Sequence, residues 1–235
     1  HGNISKRDVL QLSSKLRNSF GYKSIDKEKC FSLSRLDLSP GTQITDVLKS
    51  RVNNSAYVSY YNIGENTPRD RAMAMLIKTY IGQPYYMELR TNQQLGYIVA
   101  AGAYSSDNFS GMYCIVQSDS YSPDEVERRS KDFLSNSING LDALEEEQFE
   151  TFKVAVKEQI NEKSTSISKE SNRRHIIAYE FGNNYDRDKQ TIAALNDLTI
   201  QDLKDTLSMT LNDASKRNIT ILLYADGLNV PETTT

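Results

Sequence analysis

Two neighbouring β-rich segments constrain the fold of this 235-residue chain more than any other feature of its sequence. They are Leu95–Tyr104 and Phe109–Gln117, and the short polar segment 105–108 that joins them is typical of an antiparallel hairpin. Apolar side chains fall on both faces of the second segment, as in strands that are covered on both sides. The hairpin therefore predicts an antiparallel sheet with other elements packed against it.

The other elements are arranged in blocks rather than in strict alternation of strand and helix. Further strands are predicted at Cys30–Leu38, Ser55–Ile63 and Asn218–Ala225. Helices are predicted at 5–20, from Pro68 to Gly82, from Pro84 onwards, and at 122–138, 145–163, 164–183 and 199–209. This order predicts an α+β fold in which helices cover one face of an antiparallel sheet.

Composition and charge argue against several classes of protein. The chain has 28 basic and 31 acidic side chains, a formal net charge of −3, whereas nucleic-acid-binding proteins carry a net basic face. The two cysteines, Cys30 and Cys114, lack CxxC spacing, which disfavours a cysteine-based zinc site or a disulfide framework and indicates small core residues. No segment approaches the roughly 20 apolar residues of a membrane span.

The histidine count excludes the common zinc-enzyme motifs. An HExxH or HxxEH site needs two histidines one helical turn apart, whereas the two histidines here are His1 and His175. His175 is expected to be structural or solvent-facing. The glycine patterns of nucleophile elbows, P-loops and dinucleotide-binding loops are missing as well. Because the first residue is not methionine and no signal segment follows it, we expect a piece of a longer polypeptide.

The most specific part of the sequence is the segment 89–99, LRTNQQLGYIV. It resembles the LRT-x-x-QLGY-[IV]-V segment in the last domain of the insulin-degrading enzyme and pitrilysin (protease III) family, also called the insulinase family. Other segments resemble the same family and occur in family order: HGNI at 1–4, VQS at 116–118, YDR at 185–187 and LTxxD at 198–202. The chain is therefore identified as a member of this family, whose proteins are zinc metallopeptidases with four homologous αβ domains.

The resemblance implies an αβ domain of the mitochondrial-processing-peptidase type. Residues 1–25 would be the end of the preceding homologous domain, and 26–235 would form the C-terminal, non-catalytic domain. The family's HxxEH helix lies in its first domain, and the corresponding helix here, around Ala72–Tyr80, contains neither histidine nor acid. We therefore expect no metal or cofactor in this chain, zinc in the parent enzyme, and no peptidase activity from the chain alone.

Arg90 and Tyr97 are the candidate substrate-binding residues. In the family, the matching arginine and tyrosine face the zinc held by the N-terminal half, and the resemblance implies that they bond the substrate main chain beside the scissile bond. A guanidinium fork and a phenol hydroxyl are donors suited to a peptide carbonyl or an oxyanion. The alternatives are that Arg90 pairs with Glu88 or another nearby acid on the surface and that Tyr97 is a half-buried strand aromatic.

Residues near this pair are expected to shape the site. Gln94 and Gly96 would form the turn from helix to strand, and Gly96 would allow a close approach of the backbone. Tyr85 and Tyr86 are expected to pack, although their position just before Arg90 leaves open a role as a substrate platform.

Two hypotheses for function follow. In the first, the chain is the C-terminal domain of a pitrilysin-like zinc metalloendopeptidase that degrades peptides. It helps to enclose the chamber, and its partners are a peptide substrate and the N-terminal catalytic half of the same polypeptide, with no nucleic acid and no membrane span. In the second, it is a non-catalytic scaffold or peptide-binding subunit, like inactive relatives of the processing peptidases. The resemblance implies a periplasmic location if the protein is bacterial and a cytosolic one if it is eukaryotic.

Overall fold

The structure is a computed structural model that describes residues 4–21, 23, 38–106 and 108–231. In these ranges five strands form one sheet: β1 (Gln43–Lys49), β2 (Ser55–Glu65), β3 (Ile98–Ser105), β4 (Phe109–Ser118) and β5 (Asn218–Tyr224). Their order across the sheet is β1-β5-β2-β4-β3, which places β3 at one edge.

The predicted hairpin is present as β3 and β4. Ile98 lies opposite Gln117 and Ser105 opposite Ser110 in an antiparallel register. β2 lies between β4 and β5 and is antiparallel to both, whereas β1 runs parallel to β5. The described sheet is thus antiparallel except at its β1 edge.

The sequence did not predict β1. Most residues of its segment, QITDVLK, are exposed on both faces, so it lacks the apolar alternation that marks a half-buried strand. The strand predicted at Cys30–Leu38 lies outside the described residues apart from Leu38, which is buried and not part of a strand.

The α-helices of the described ranges are α1 (Lys6–Phe20), α2 (Pro68–Tyr85), α3 (Pro123–Gly140), α4 (Glu146–Asn161), α5 (Ile167–Tyr179), α6 (Arg187–Asn196) and α7 (Ile200–Leu211). Side chains cap the predicted helices that begin near 122 and 199. The N–H of Glu125 donates to Oγ of Ser122 at 3.4 Å, and Thr199 forms a reciprocal capping box with Asp202. Within the described residues, no helix has both the length and the apolarity that crossing a bilayer requires.

α2 differs from its prediction at the C-terminal end. Gly82 does not end the helix, which runs to Tyr85 and passes directly into a π-helical turn, Tyr86–Asn92. Tyr85 and Leu89 are both 0% exposed, so burial of this face keeps the chain helical beyond the glycine. Pro84 has no N–H to donate in the last turn of α2, and the wider turn follows it immediately.

Helices cover one face of the sheet, as predicted. On that face alternate residues of the inner strands are buried, including Tyr57, Tyr61, Met112, Cys114, Val116 and Leu222. α2 lies against β3 and β4, and α3 and α7 lie against β2. The opposite face leaves Tyr60 exposed and Tyr113 and Ile115 partly exposed. The second apolar face of the hairpin is therefore not buried by the described part of the chain.

α1 is the predicted amphipathic helix at the start of the chain. Ser5 caps it, and Gly21 ends it with a left-handed φ of 59°. Its apolar residues are 43–65% exposed: Val9, Leu10, Leu12, Leu16 and Phe20. No side chain of α1 is buried by the rest of the described chain.

Candidate functional site

The candidate site lies on the connection between α2 and β3. Arg90 belongs to the π-helical turn, and Tyr97 is the residue immediately before β3. Two leucines hold this connection against the core: Leu89 and Leu95 are 0% exposed, and the N–H of Leu95 donates to the carbonyl oxygen of Leu89 at 2.9 Å. Burying such a side chain contributes about 1.5–3 kcal/mol. The backbone that carries both candidate residues is therefore anchored.

Backbone geometry turns the chain from the helix into the sheet. Gln94 has a φ of 53°, a left-handed conformation that residues other than glycine rarely adopt. At Gly96, a Cβ atom would lie 1.8 Å from the carbonyl oxygen of Gln117 at the end of β4. Only glycine fits there, which confirms the expected close approach of the backbone.

Arg90 does not pair with Glu88. The carboxylate of Glu88 accepts hydrogen bonds from Asn92 Nδ2 at 2.8 Å and from Gln93 Nε2 at 2.9 Å. These two hydrogen bonds hold the pKa of Glu88 below its ordinary value, since they stabilise the charged form. Arg90 is half-buried, and its side chain forms no hydrogen bond or ion pair with any residue that the structure describes. The alternative of a surface ion pair with Glu88 is therefore wrong.

Tyr97 is not a half-buried strand aromatic either. It is 84% exposed, and its hydroxyl has no partner in the described part of the chain. Its neighbour Ile98, the first residue of β3, is also exposed. An aromatic side chain this open makes little contribution to the core, so packing does not explain its presence.

Tyr86 is a candidate contact residue that the sequence left undecided. Tyr85 is buried, its hydroxyl lies 2.8 Å from Ser130 Oγ, and its ring packs edge-on against Phe133. Tyr86, by contrast, is exposed on the same π-helical turn as Arg90. The helical spacing of buried Ile81, Tyr85 and Leu89 is the signal that separates the two tyrosines, because it assigns Tyr85 to the core face.

A cavity of about 550 Å³ borders the other side of this connection, between α2 and α3. Glu88 and Gln93 line it, together with Arg128, Arg129 and Asp132. These ionic groups are already satisfied, since Arg128 pairs with Asp132 at 2.8 Å and Arg129 with Glu125 at 2.6 Å. Neither candidate residue lines the cavity, and Glu88, Arg128, Arg129 and Asp132 all have hydrogen-bond partners already.

The helix expected to correspond to the family's zinc helix is part of the core. Within α2, Ala72, Met73, Leu76 and Ile77 are at most 2% exposed. In the described ranges, no three histidine, cysteine or acidic residues lie together as a metal site. His175 is exposed on α5, as predicted, and its ring centroid lies 4.4 Å from that of Tyr179.

Comparison with known proteins gives a family model that matches part of this chain. Residues 76–175 match the family described as "PQQ synthase PqqF-like, C-terminal lobe domain 4". The matched range contains both Arg90 and Tyr97.

Relatives and solved structures agree with that match. An insulin-degrading enzyme homolog from Dictyostelium discoideum is 25% identical over 98% of this chain, and human insulin-degrading enzyme is 29% identical over 71% of it. The chain spans only 25% and 16% of the lengths of these two relatives. The crystal structure of pitrilysin has the same fold, with a TM-score of 0.81 and 20% identity over 97% of this chain and 24% of its own.

Proposed function

Because the chain belongs to the insulinase family of peptidases and matches its C-terminal lobe, we propose that it is the C-terminal, non-zinc-binding domain of a zinc metalloendopeptidase that degrades peptides. In this proposal the domain helps to enclose the chamber and holds the main chain of the peptide. The zinc ligands and the general base belong to the N-terminal half of the same polypeptide.

One observation carries this proposal: Arg90 and Tyr97 are free donors on a fixed backbone. Both side chains lack a partner among the described residues, and the buried Leu89 and Leu95 hold the connection between them. A guanidinium group can bond two oxygens at once, and a phenol can donate one hydrogen bond. Donors that need no rearrangement before binding are suited to positioning a peptide.

The two residues would act on the carbonyl groups beside the scissile bond. As the carbonyl oxygen becomes an oxyanion, hydrogen bonds from Arg90 and Tyr97 would strengthen, because charge develops on the acceptor. Zinc, when bound by the N-terminal half, supplies a Lewis acid and an activated water. The contribution of this chain is to orient the peptide and to donate hydrogen bonds.

The same proposal covers the domain boundary and the compartment. Residues 1–25 would be the end of the preceding homologous domain, onto which the exposed apolar stripe of α1 would pack, and 26–235 would be the C-terminal domain. A bacterial source would place the enzyme in the periplasm, and a eukaryotic source in the cytosol.

The test is to substitute Arg90→Ala and Tyr97→Phe in the full-length polypeptide. Each variant should lower kcat/KM for peptide hydrolysis by about tenfold to a thousandfold, since loss of one donor to an oxyanion typically costs up to about 4 kcal/mol in other hydrolases. Metal analysis should show unchanged zinc content, because neither side chain is a ligand in this proposal.

Arg128→Ala and Tyr179→Phe are the matched controls. Arg128 is a surface arginine with its own acid partners, and Tyr179 is 79% exposed on α5. Both controls should keep the wild-type kinetics. Wild-type kinetics in both Arg90→Ala and Tyr97→Phe would reject the assigned roles. A polypeptide with no HxxEH motif ahead of this domain would favour the scaffold function instead.

A further inference from the structure

A second cavity, of about 360 Å³, lies along the free edge of the sheet. Five successive residues of β3, 101–105, line it, together with Tyr113 of β4 and residues of α2, α4 and α6. Successive side chains of a strand point to opposite faces. A cavity that borders all five therefore lies along the edge of β3 rather than over one face of the sheet.

This edge of β3 has no strand beside it among the residues that the structure describes. Among the described strands β3 pairs only with β4, so alternate N–H and C=O groups on its other side have no sheet partner. Residues 100–103 are Ala, Ala, Gly and Ala, so their own side chains add little bulk beside this edge, although the ring of Tyr113 lies over Gly102. Such an edge can bind an extended peptide by adding it as a strand.

The wall of the cavity opposite β3 carries an excess of positive charge. Arg71, Lys78 and Arg187 line it, and Asp188 is the one carboxylate among the lining residues. Asp188 already forms an ion pair with Arg173, which lies outside the cavity lining. Its charge is therefore shared, and the cavity remains cationic.

Neither arginine of this wall has a carboxylate bonded to it in the described residues. Arg71 is 5% exposed and donates only to neutral oxygens, from Nε to Thr191 Oγ1 at 3.0 Å and from Nη1 to the carbonyl of Asn66 at 2.6 Å. Arg187 donates from Nη2 to Ser105 Oγ at 2.6 Å, and its Nε is buried without an acceptor. Burial, then repulsion from Arg71, lowers the pKa of Arg187 to about 10, so it stays protonated at neutral pH. Asp188 attracts both arginines, but it is one carboxylate between two of them and is already paired with Arg173. Buried charges are normally paired, so a further carboxylate would stabilise this wall of the cavity.

We propose that this edge cavity binds an extended peptide segment carrying an acidic side chain, whose backbone adds to β3 and whose carboxylate neutralises Arg187, Arg71 and Lys78. The inference goes beyond the proposed function, because binding needs neither zinc nor cleavage. It also connects the two sites: Tyr97 precedes Ala101 by four residues, about 13 Å along a strand. A peptide paired along β3 would lead from the cationic wall towards Tyr97.

The test measures fluorescence anisotropy of a fluorescein-labelled peptide, acetyl-Val-Thr-Val-Glu-Thr-Val-amide, against the full 235-residue chain. The glutamate probe should bind about tenfold more tightly than the same peptide with glutamine, since only the former supplies a charge. Equal affinity of the two probes would overturn the proposal. So would the absence of binding of either probe to a protein sample whose cooperative melting shows that it is folded.

Strand addition is tested with two further probes that carry N-methyl groups on alternate residues. Only one of the two sets of N–H groups points to β3 in an added strand, so one probe should lose affinity and the other keep it. Equal affinities of the two methylated probes would exclude strand pairing.

Variants test the cationic wall. Lys78→Gln and Arg187→Gln should each weaken the glutamate probe by about three- to tenfold, and Arg187→Lys, which keeps the charge, should bind more tightly than Arg187→Gln. Arg69→Gln is the matched control on α2, because Arg69 pairs with Asp202 and does not line the cavity. Wild-type affinity in both Lys78→Gln and Arg187→Gln would refute the wall's role. Arg90→Ala should leave the preference for glutamate intact, which separates this site from the proposed substrate donors.

Discussion

At the scale of single residues, Gly96 determines how closely the backbone of the candidate site approaches strand β4. A side chain there would collide with the backbone at the end of β4, 1.8 Å from the carbonyl oxygen of Gln117. The neighbouring Tyr97 therefore takes its position from a contact that only glycine permits. Arg90 owes its availability to a different contact, the hydrogen bonds that Asn92 and Gln93 give to Glu88.

Gly96→Ala should destabilise the chain by about 1–3 kcal/mol, because the backbone of β3 or β4 must move to admit the methyl group. Urea unfolding followed by circular dichroism measures this change. Gly82→Ala is the control, since its Cβ would lie 3.4 Å from the nearest atom outside its own helix, and alanine is a better helix former. It should be neutral or stabilising by up to about 1 kcal/mol. Equal losses in the two variants would contradict the role assigned to Gly96.

Sequence reasoning reached these residues by two routes. The glycine's role follows from local physics, because a helix-to-strand turn needs a residue without a Cβ. Arg90 and Tyr97 came from the family resemblance alone, since one arginine and one of 14 tyrosines are unspecific by type. That Arg90 does not pair with Glu88 depends on the hydrogen bonds that Asn92 and Gln93 give to Glu88, and that Tyr97 is exposed depends on the fold around it.

Elements were predictable where local signals and burial agree. The caps at Ser122 and Thr199 are side-chain hydrogen bonds within three residues, and both are present. Gly82 predicts a helix end, but burial of Tyr85 and Leu89 outweighs the propensity of one glycine. β1 has no such signal, because its exposed residues are ordered by parallel pairing with β5, whose residues lie 175 positions further along the chain.

The first turn of α3 carries a charge cluster that should make stability depend on pH. Glu125 accepts hydrogen bonds from Arg128 Nε at 2.9 Å and Arg129 Nε at 2.6 Å, which lower the pKa of Glu125 to about 2. A pKa that is lower in the folded than in the unfolded chain stabilises the fold above the unfolded value. That stabilisation is lost as the pH falls through the folded pKa.

Glu125→Gln should therefore have a lower free energy of unfolding than wild type at neutral pH, and the difference should disappear as the pH approaches about 2. Urea titrations at a series of pH values measure it. The double variant Arg128→Gln/Arg129→Gln should differ from wild type with the same pH dependence as Glu125→Gln, because it removes the two hydrogen-bond partners of Glu125. A difference that stays constant down to the lowest pH would show that these arginines do not set the pKa of Glu125.

At the scale of the whole molecule, the described chain has surfaces that it does not cover itself. The second face of the sheet leaves Tyr60 exposed, β3 pairs on one side only among the described strands, and Val9, Leu10, Leu12 and Leu16 of α1 are exposed. A domain of this size normally buries such stripes. The chain spans 25% of its Dictyostelium relative, so the remainder of a longer polypeptide is the partner we propose for α1.

The substitution Leu16→Asp tests whether α1 packs against the remainder of a longer polypeptide. Leu16 is 43% exposed in the described chain, so a charge there should leave the Tm of the 235-residue chain unchanged within about 2 °C. In the full-length polypeptide the same side chain would be buried against the preceding domain, and an unpaired carboxylate in that contact should lower the Tm by several degrees. Differential scanning calorimetry of both proteins measures the two shifts.

Lys15→Asp is the control, since Lys15 lies outside the apolar stripe and its substitution should change neither Tm by more than about 2 °C. A fall in Tm for the 235-residue chain would place α1 within this domain, and no fall in the full-length polypeptide would remove the proposed docking of α1 on the preceding domain.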